Sequence, residues 1–399
     1  MMHFDESIQM IENLEINNYK IKNLPLMEAQ GYVLAADIMA DHNSPGFPTS
    51  AMDGYAIIHE DMTLGTLKVG SINPAGSALK DEVIGGTCIK TFTGSLMPHG
   101  ADTLIPIENV EVDGDEIIIK TEVPQGFSVR EPGENYAKGQ LLIPKGTKVD
   151  FPQIGVMASL NIANVLVYEK PTVAIISTGS ELLELGQEQT NDAQIRSSNN
   201  YILESIVKKY DGVALQLGCI KDDKATITKE ISEALGKSDI VVTTGGVSVG
   251  DFDFVKDVIY ELGCEVVFKG VRVKPGQHIM VARKDDKFII GLPGFAYSST
   301  VTALLYLVPL IEKLQHGKCS LRQVKAKLSE PFIKRAKKAE FTACNVSLIQ
   351  GEYYVDFKGK KVGSSAILTN MLGDVALLVT SEDDASKEIG DEVTILLFG

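Results

Sequence analysis

Apolar and polar positions alternate along this chain in distinct textures. The first fifty residues open with Ile8, Ile11 and Leu14 at helix spacing and then run extended through "GYVLAADIMADHNSPGFPTS". A Pro and Gly cluster from Ser44 to Pro48 marks a boundary. From Ala51 to Ala137 the pattern predicts short strands separated by turns: "TLKVGSI", "TCIKTFTG", "DTLIPIENVEV" and "DEIIIKTEV". Helix signals are absent there, so a small β domain is expected. Residues 138 to 170 carry "GQLLIPKGTKVDF" and an apolar "IGVMASLNIANVLVY" that leads to Lys170-Pro171.

From Pro171 to about Gly317 apolar strand-like runs alternate with helix-length amphipathic runs. "TVAIIS", "GVALQLG", "DIVVTTGG" and "KFIIGLPG" read as strands. Ile202, Ile206, Val207 and Tyr210 share one helical face, and a helix after Gly294 carries Leu304, Leu305 and Val308. This alternation predicts a doubly wound parallel sheet covered on both faces. Residues 318 to 399 begin with a basic stretch (Arg322, Lys325, Lys327, Lys334, Arg335, Lys337, Lys338) and return to short strands such as "YYVDF", "VALLVT" and "VTILLF". They read as a small all-β module. The fold class expected is therefore α/β plus β, with several domains.

Length supports that division, because 399 residues exceed one ordinary core. Hydrophobic residues make up 44% and charged residues 23%, as in ordinary soluble protein. The start, "MMHFDESIQMIENLE", is acidic and amphipathic rather than a basic head followed by an apolar middle. The longest apolar stretch, Val301 to Ile311, is too short to span a bilayer. Five scattered cysteines without a C-x-x-C fit a reduced, cytoplasmic protein, and six histidines show no metal-ligand spacing. A net charge of −15 argues against a nucleic-acid surface. An anionic ligand would need local cations, helix N-termini or a divalent metal to offset that field.

The chemistry should sit where strands of an open α/β sheet end, near the point where strand order reverses. "TVAIIS" exits into Thr178-Gly179-Ser180-Glu181, and "GVALQLG" exits through Cys219 and Ile220 into Lys221-Asp222-Asp223. "DIVVTTGG" exits into Val247-Ser248-Val249-Gly250-Asp251, and "KFIIGLPG" exits ahead of Phe295-Ala296-Tyr297-Ser298-Ser299. Glycine, hydroxyl and carboxylate groups together suit an anionic ligand held by backbone N–H groups and a metal held by carboxylates. Each part has a plainer reading. Asp251 and Asp253 could be a helix N-terminus, Asp222-Asp223 a solvated turn, and Asp53 a turn residue before Gly54. No Lys follows Gly250, which disfavours a nucleoside triphosphate cradle of the usual kind. The nearest candidate cations are Arg272 and Lys274 in "GVRVKPGQH".

These stretches resemble the molybdopterin molybdenumtransferases (MoeA), which include the E domain of gephyrin. The resemblance rests on "TTGGVSVGD", "STGSEL", "KPG" and "GLPG". It extends to "SAMDGYAI" at 50 to 57, "FTGSLMPHGADTLIPIENV" at 92 to 110 and "REPGEN" at 130 to 135. It covers the chain nearly end to end, with the last eighty residues least diagnostic. It implies an N-terminal connecting and dimerisation region (1–50 and 138–170), an inserted β domain (51–137), a molybdopterin-binding MoaB/MogA-like α/β domain (171–317) and a C-terminal β-barrel-like domain (318–399). It implies a cytoplasmic homodimer whose cleft lies between the α/β domain of one subunit and the β domain of the other. The implied reaction takes adenylylated molybdopterin and molybdate, inserts the metal at the dithiolene and releases AMP with help from Mg²⁺. A molybdopterin adenylyltransferase and molybdoenzymes are the implied protein partners. No nucleic acid or membrane is implied.

By position in the matching motifs, the resemblance makes Asp53, Glu181, Asp222 and Asp253 catalytic, and Asp251, Asp253 and Glu181 metal-organising. Thr93 and Gly94 would line the site from the facing subunit. Thr178, Gly179, Gly245, Gly246, Ser248, Gly250, Lys274, Pro293 and Ser298 would hold the pterin nucleotide. Three departures stand out: Asn135 where the family usually has Asp, Gln277-His278 where a second Lys often follows "KPG", and Phe295-Ala296 where Asn-Pro is common. They raise the alternative of a divergent paralogue preferring tungstate. A non-catalytic scaffold that binds the cofactor or a partner, and adenylyl transfer by the α/β domain alone, are the rival readings.

Overall fold

The computed structural model describes residues 1–77, 81–247 and 254–398. Ser248, Gly250, Asp251 and Asp253 lie outside the described residues. The chain forms two compact units: Ala36–Lys145 with Phe151–Ala163, and Met1–Ala35 with Gly146–Asp150 and Asn164–Gly399.

The smaller unit is built on a six-stranded sheet in the order Thr103–Pro106, Gly54–Ile57, Thr87–Thr91, Thr66–Asn73, Glu116–Ile119, Val110–Asp113. Tyr55 and Ile57 turn to a core with Leu67, Cys88, Ile105 and Ile117, while Ala56 turns the other way towards Met97 and Leu104. A one-residue slip would exchange those two faces, so burial fixes the register. Gly54 pairs with Pro106 and Tyr55 with Ile105. A Cβ on Gly54 would lie 2.2 Å from the Ile105 carbonyl oxygen. The glycine after Asp53 thus opens a strand pressed against its neighbour, while Asp53 itself lies in the bend that precedes the strand.

In the larger unit the four expected strands form one sheet, in the order Val213–Ile220, Thr172–Thr178, Ile240–Thr244, Lys287–Leu292. They run parallel. Both faces are apolar, as the continuous hydrophobic runs require. Val173, Ile175, Val242 and Ile290 pack with Leu203 and Val207 on one side. Ala174, Ile176, Val241 and Ile289 pack with Ile227, Ile231 and Val258 on the other. Each large apolar side chain buried this way stabilises by about 1.5–3 kcal/mol before the entropy of ordering is counted. The sheet is nonetheless mixed. Met280–Lys284 and Glu265–Lys269 add an antiparallel edge. Asp285, at φ +54°, and Asp286 form the two-residue hairpin that reverses the chain there.

The helix Ala296–Thr302 continues through a π-helical stretch, Ala303–Leu307, into Val308–Leu314. Pro309 has no N–H to give the ladder, so the irregularity falls where the sequence places it. The last eighty residues close into a barrel of five strands: Arg322–Leu328, Ala339–Ile349, Glu352–Asp356, Val375–Thr380 and Glu392–Leu397. The short strand Val273–Lys274 adds to it in parallel, with Val273 beside Ala339 and Lys274 beside Glu340. "GVRVKPGQH" therefore leaves the α/β sheet and joins the barrel, which brings the "KPG" turn and the basic approach together. No helix among the described residues is long and apolar enough to cross a membrane.

Candidate functional site

The chain leaves Thr172–Thr178 towards Val213–Ile220 on one side, then returns to Ile240–Thr244 on the other. Strand order reverses between the carboxyl ends at Thr178 and Thr244, where a ligand crevice is expected. A cavity of about 700 Å³ opens there, within the larger unit. Its floor is the glycine loop. Gly245 (φ +89°) and Gly246 (φ +68°) occupy the left-handed region that disfavours other residues. A Cβ at Gly245 would lie 2.9 Å from Thr178 O, and one at Gly246 would lie 2.6 Å from Val255 Cγ2. The Gly245 N–H donates to Leu292 O at 3.1 Å. The Gly246 N–H has no partner among the described residues, so it is one amide open to a ligand. Beneath the loop, the Ser177 hydroxyl bonds Asn200 Oδ1 at 2.5 Å and Thr244 Oγ1 at 2.7 Å, a buried network that pins the two strand ends.

Seven of the residues assigned a site role by sequence line this cavity: Thr178, Glu181, Gly245, Gly246, Lys274, Pro293 and Ser298. Gly179 follows Thr178 in the loop that leads through Ser180 to Glu181, and its N–H donates to Ile220 O at 3.1 Å. Asp222 accepts from the Ser180 N–H at 3.2 Å and so tethers that loop from behind rather than lining the cavity. Asp223 caps the helix Lys224–Lys237 by accepting from Thr226 N at 2.8 Å. Ser298 is committed as well, since both its N–H and its hydroxyl donate to Ser365 O, at 3.2 and 3.1 Å.

Asp53, Thr93 and Gly94 form a second constellation, in the smaller unit. The Thr93 hydroxyl and N–H both donate to Asp53 Oδ1, at 2.6 and 2.8 Å. The Gly94 N–H donates to Ser50 O at 2.8 Å. The Thr93 hydroxyl, followed by its N–H, holds the Asp53 carboxyl below the ordinary range. Asp53 is exposed and stays charged, with its second oxygen unpartnered among the described residues.

The cations divide differently from the sequence expectation. Arg272 does not line the cavity; it pairs with Glu382 at 2.9 Å. Lys274 lines it but is bound to Glu340 at 3.2 Å, whose side chain is only 4% exposed. A third cation, Lys338, enters from the barrel and donates to Gln277 Oε1. Asn199 also lines the cavity. Its Nδ2 donates to Gly294 O at 2.8 Å, while its buried Oδ1 has no partner among the described residues. Neither role is legible in the sequence, where Asn199 stands at a helix start and Lys338 in a basic run that resembles a solvated face. For Mg²⁺, the described residues offer one cavity carboxylate not already in an ion pair, Glu181. No group of three His, Cys, Asp or Glu among them is placed to hold a metal ion.

Comparison with known proteins completes the picture. Residues 2–161 match the family described as MoeA N-terminal region (domain I and II), and residues 174–313 match the probable molybdopterin binding domain. The molybdopterin molybdenumtransferase of Haemophilus influenzae is 34% identical over 297 residues, 74% of this chain and 73% of that protein. That of Nostoc is 31% identical, covering 93% of this chain and 87% of the relative. The crystal structure of the molybdopterin biosynthesis moeA protein from Pyrococcus horikoshii OT3 superposes with a TM-score of 0.85 over 100% of both chains, at 29% identity. The expected α/β plus β architecture and the suspected kinship both hold: this chain belongs to the molybdopterin molybdenumtransferase family.

Proposed function

We propose that this protein inserts molybdate into adenylylated molybdopterin and releases AMP. The observation that carries the reading is the cavity at the strand-order reversal, where the motif residues of three strand exits converge. In this reading the Gly246 amide, which has no partner among the described residues, donates to a phosphate oxygen. The orphaned Asn199 Oδ1 accepts a donor from the pterin, since a buried acceptor left empty costs about 1–3 kcal/mol. Molybdate meets Lys338, the one cavity lysine without a carboxylate partner among the described residues. Glu181 is the carboxylate within reach of the reacting phosphoanhydride.

Asp53, held charged by Thr93, would complete the site from the facing subunit of a homodimer, with Gly94 beside it. Four functional parts with the boundaries given above belong to the same proposal. The described residues alone do not build a Mg²⁺ site. Glu181 would contribute to one only together with Asp251 and Asp253. Five free cysteines support placement in a reducing, cytoplasmic compartment. The test is AMP release from adenylylated molybdopterin. Asp53→Ala and Glu181→Gln should each remove the molybdate-dependent part while leaving the circular-dichroism melt intact. Full activity in both would reject these roles.

A further inference from the structure

The cavity holds two lysines, and they are not equivalent. Lys274 is neutralised in place by Glu340, which is almost wholly buried. Releasing Lys274 to a ligand would strand that carboxylate without its partner, a costly outcome in a low-dielectric setting. Lys338 is different. Its ammonium donates to Gln277 Oε1, a neutral acceptor, and pairs with no carboxylate among the described residues. An ammonium can only donate, so Gln277 must present its oxygen to Lys338 and its NH₂ to His278. The Gln277 Nε2 to His278 Nε2 contact is 2.8 Å. A donor on one side requires a lone pair on the other. In this arrangement His278 Nε2 is the acceptor.

The chain of contacts thus runs from an imidazole through an amide to an ammonium, and it ends in the cavity. It joins the turn after "KPG" to the start of the barrel strand Ala339–Ile349, which lie 61 residues apart. A tetrahedral dianion entering a protein of net charge −15 needs local positive charge that is not already cancelled. Among the described residues that line the cavity, Lys338 alone supplies it.

Resting on the function proposed above, we infer that Gln277 is a positioning residue for the oxyanion. Braced by its contact with His278, its amide holds the Lys338 ammonium where molybdate binds. An amide at 277 fixes the cation without adding or cancelling charge. A carboxylate there would hold Lys338 equally well but neutralise it. A thioether of similar length would hold nothing.

The experiment measures AMP release by the full-length protein at saturating adenylylated molybdopterin, with molybdate varied. Gln277→Met should raise the KM for molybdate about tenfold, the equivalent of one charge-assisted hydrogen bond. Gln277→Glu should raise it further, and Lys338→Met at least as far. In each case kcat should fall by less than KM rises, and the KM for adenylylated molybdopterin and the thermal midpoint should stay near wild type. Unchanged molybdate KM in Gln277→Met and Gln277→Glu overturns the inference and leaves the proposed function standing. So does a parallel loss for both substrates accompanied by a lowered melt, which marks a merely structural residue. A wild-type protein without molybdate-dependent AMP release overturns the function, and this inference with it.

Discussion

Replacing Gly246 with alanine puts a number on how tightly the cavity floor is built. The residue sits at φ +68°, where a Cβ costs about 1–2 kcal/mol. The added carbon would also lie 2.6 Å from Val255 Cγ2 and 3.3 Å from Thr178 Oγ1. Val255 is fully buried, so it has little room to yield, and overpacking of this kind costs about 1–3 kcal/mol. Together the terms predict a loss of about 2–5 kcal/mol. The two parts separate in a double-mutant cycle with Val255→Ala. That change removes the clashing methyl but leaves the backbone term, so the double variant should be less destabilised than the sum of the singles by about 1–3 kcal/mol. Urea unfolding followed by far-ultraviolet circular dichroism gives the energies, and AMP release gives the effect on the site. Wild-type stability in Gly246→Ala, or strict additivity in the cycle, would refute the geometry assigned to this loop.

Other outcomes follow from the same contacts. Thr93→Val removes the hydroxyl that does most to lower the Asp53 carboxyl while keeping the N–H contact. A depressed carboxyl pKa keeps the charged form present to lower pH. The variant should therefore lose activity at a higher pH than wild type as the solution is acidified, and an acid limb that does not move would contradict it. Asn199→Asp replaces the donor to Gly294 O with an acceptor and puts a negative charge beside the cavity. It should lower stability by about 1–3 kcal/mol and raise the KM for molybdate; stability is checked by the same unfolding assay. Mixing and refolding inactive Asp53→Ala with inactive Glu181→Gln should restore about a quarter of wild-type activity if each site draws on both protomers, because half the dimers are mixed and each has one intact site. No recovery would place the whole site within one chain.

Much of the fold was legible because its signals are local. The four parallel strands announced themselves as apolar runs with both faces buried, and the glycine loop followed one of them directly. The antiparallel edge was missed, since a reversal carried by Asp285 and Asp286 leaves no gap longer than an ordinary turn. Gly54 looked like a turn glycine because its true constraint, the Ile105 carbonyl, lies on another strand. At the site, residues at strand ends were readable from the strands themselves. Charge pairing was not. Lys274 looked like a pocket cation until the barrel brought Glu340 to it from 66 residues away. Lys338 looked solvated until the same pairing of Val273–Lys274 with Ala339–Ile349 carried it to Gln277. Periodicity reports which face of an element is buried, but not which distant partner will neutralise a charge.

The most direct measurement is AMP release by the purified wild-type protein given adenylylated molybdopterin, with molybdate present or withheld. Release that rises and saturates with molybdate is the predicted result. Release that is absent, or indifferent to the oxyanion, would contradict the account.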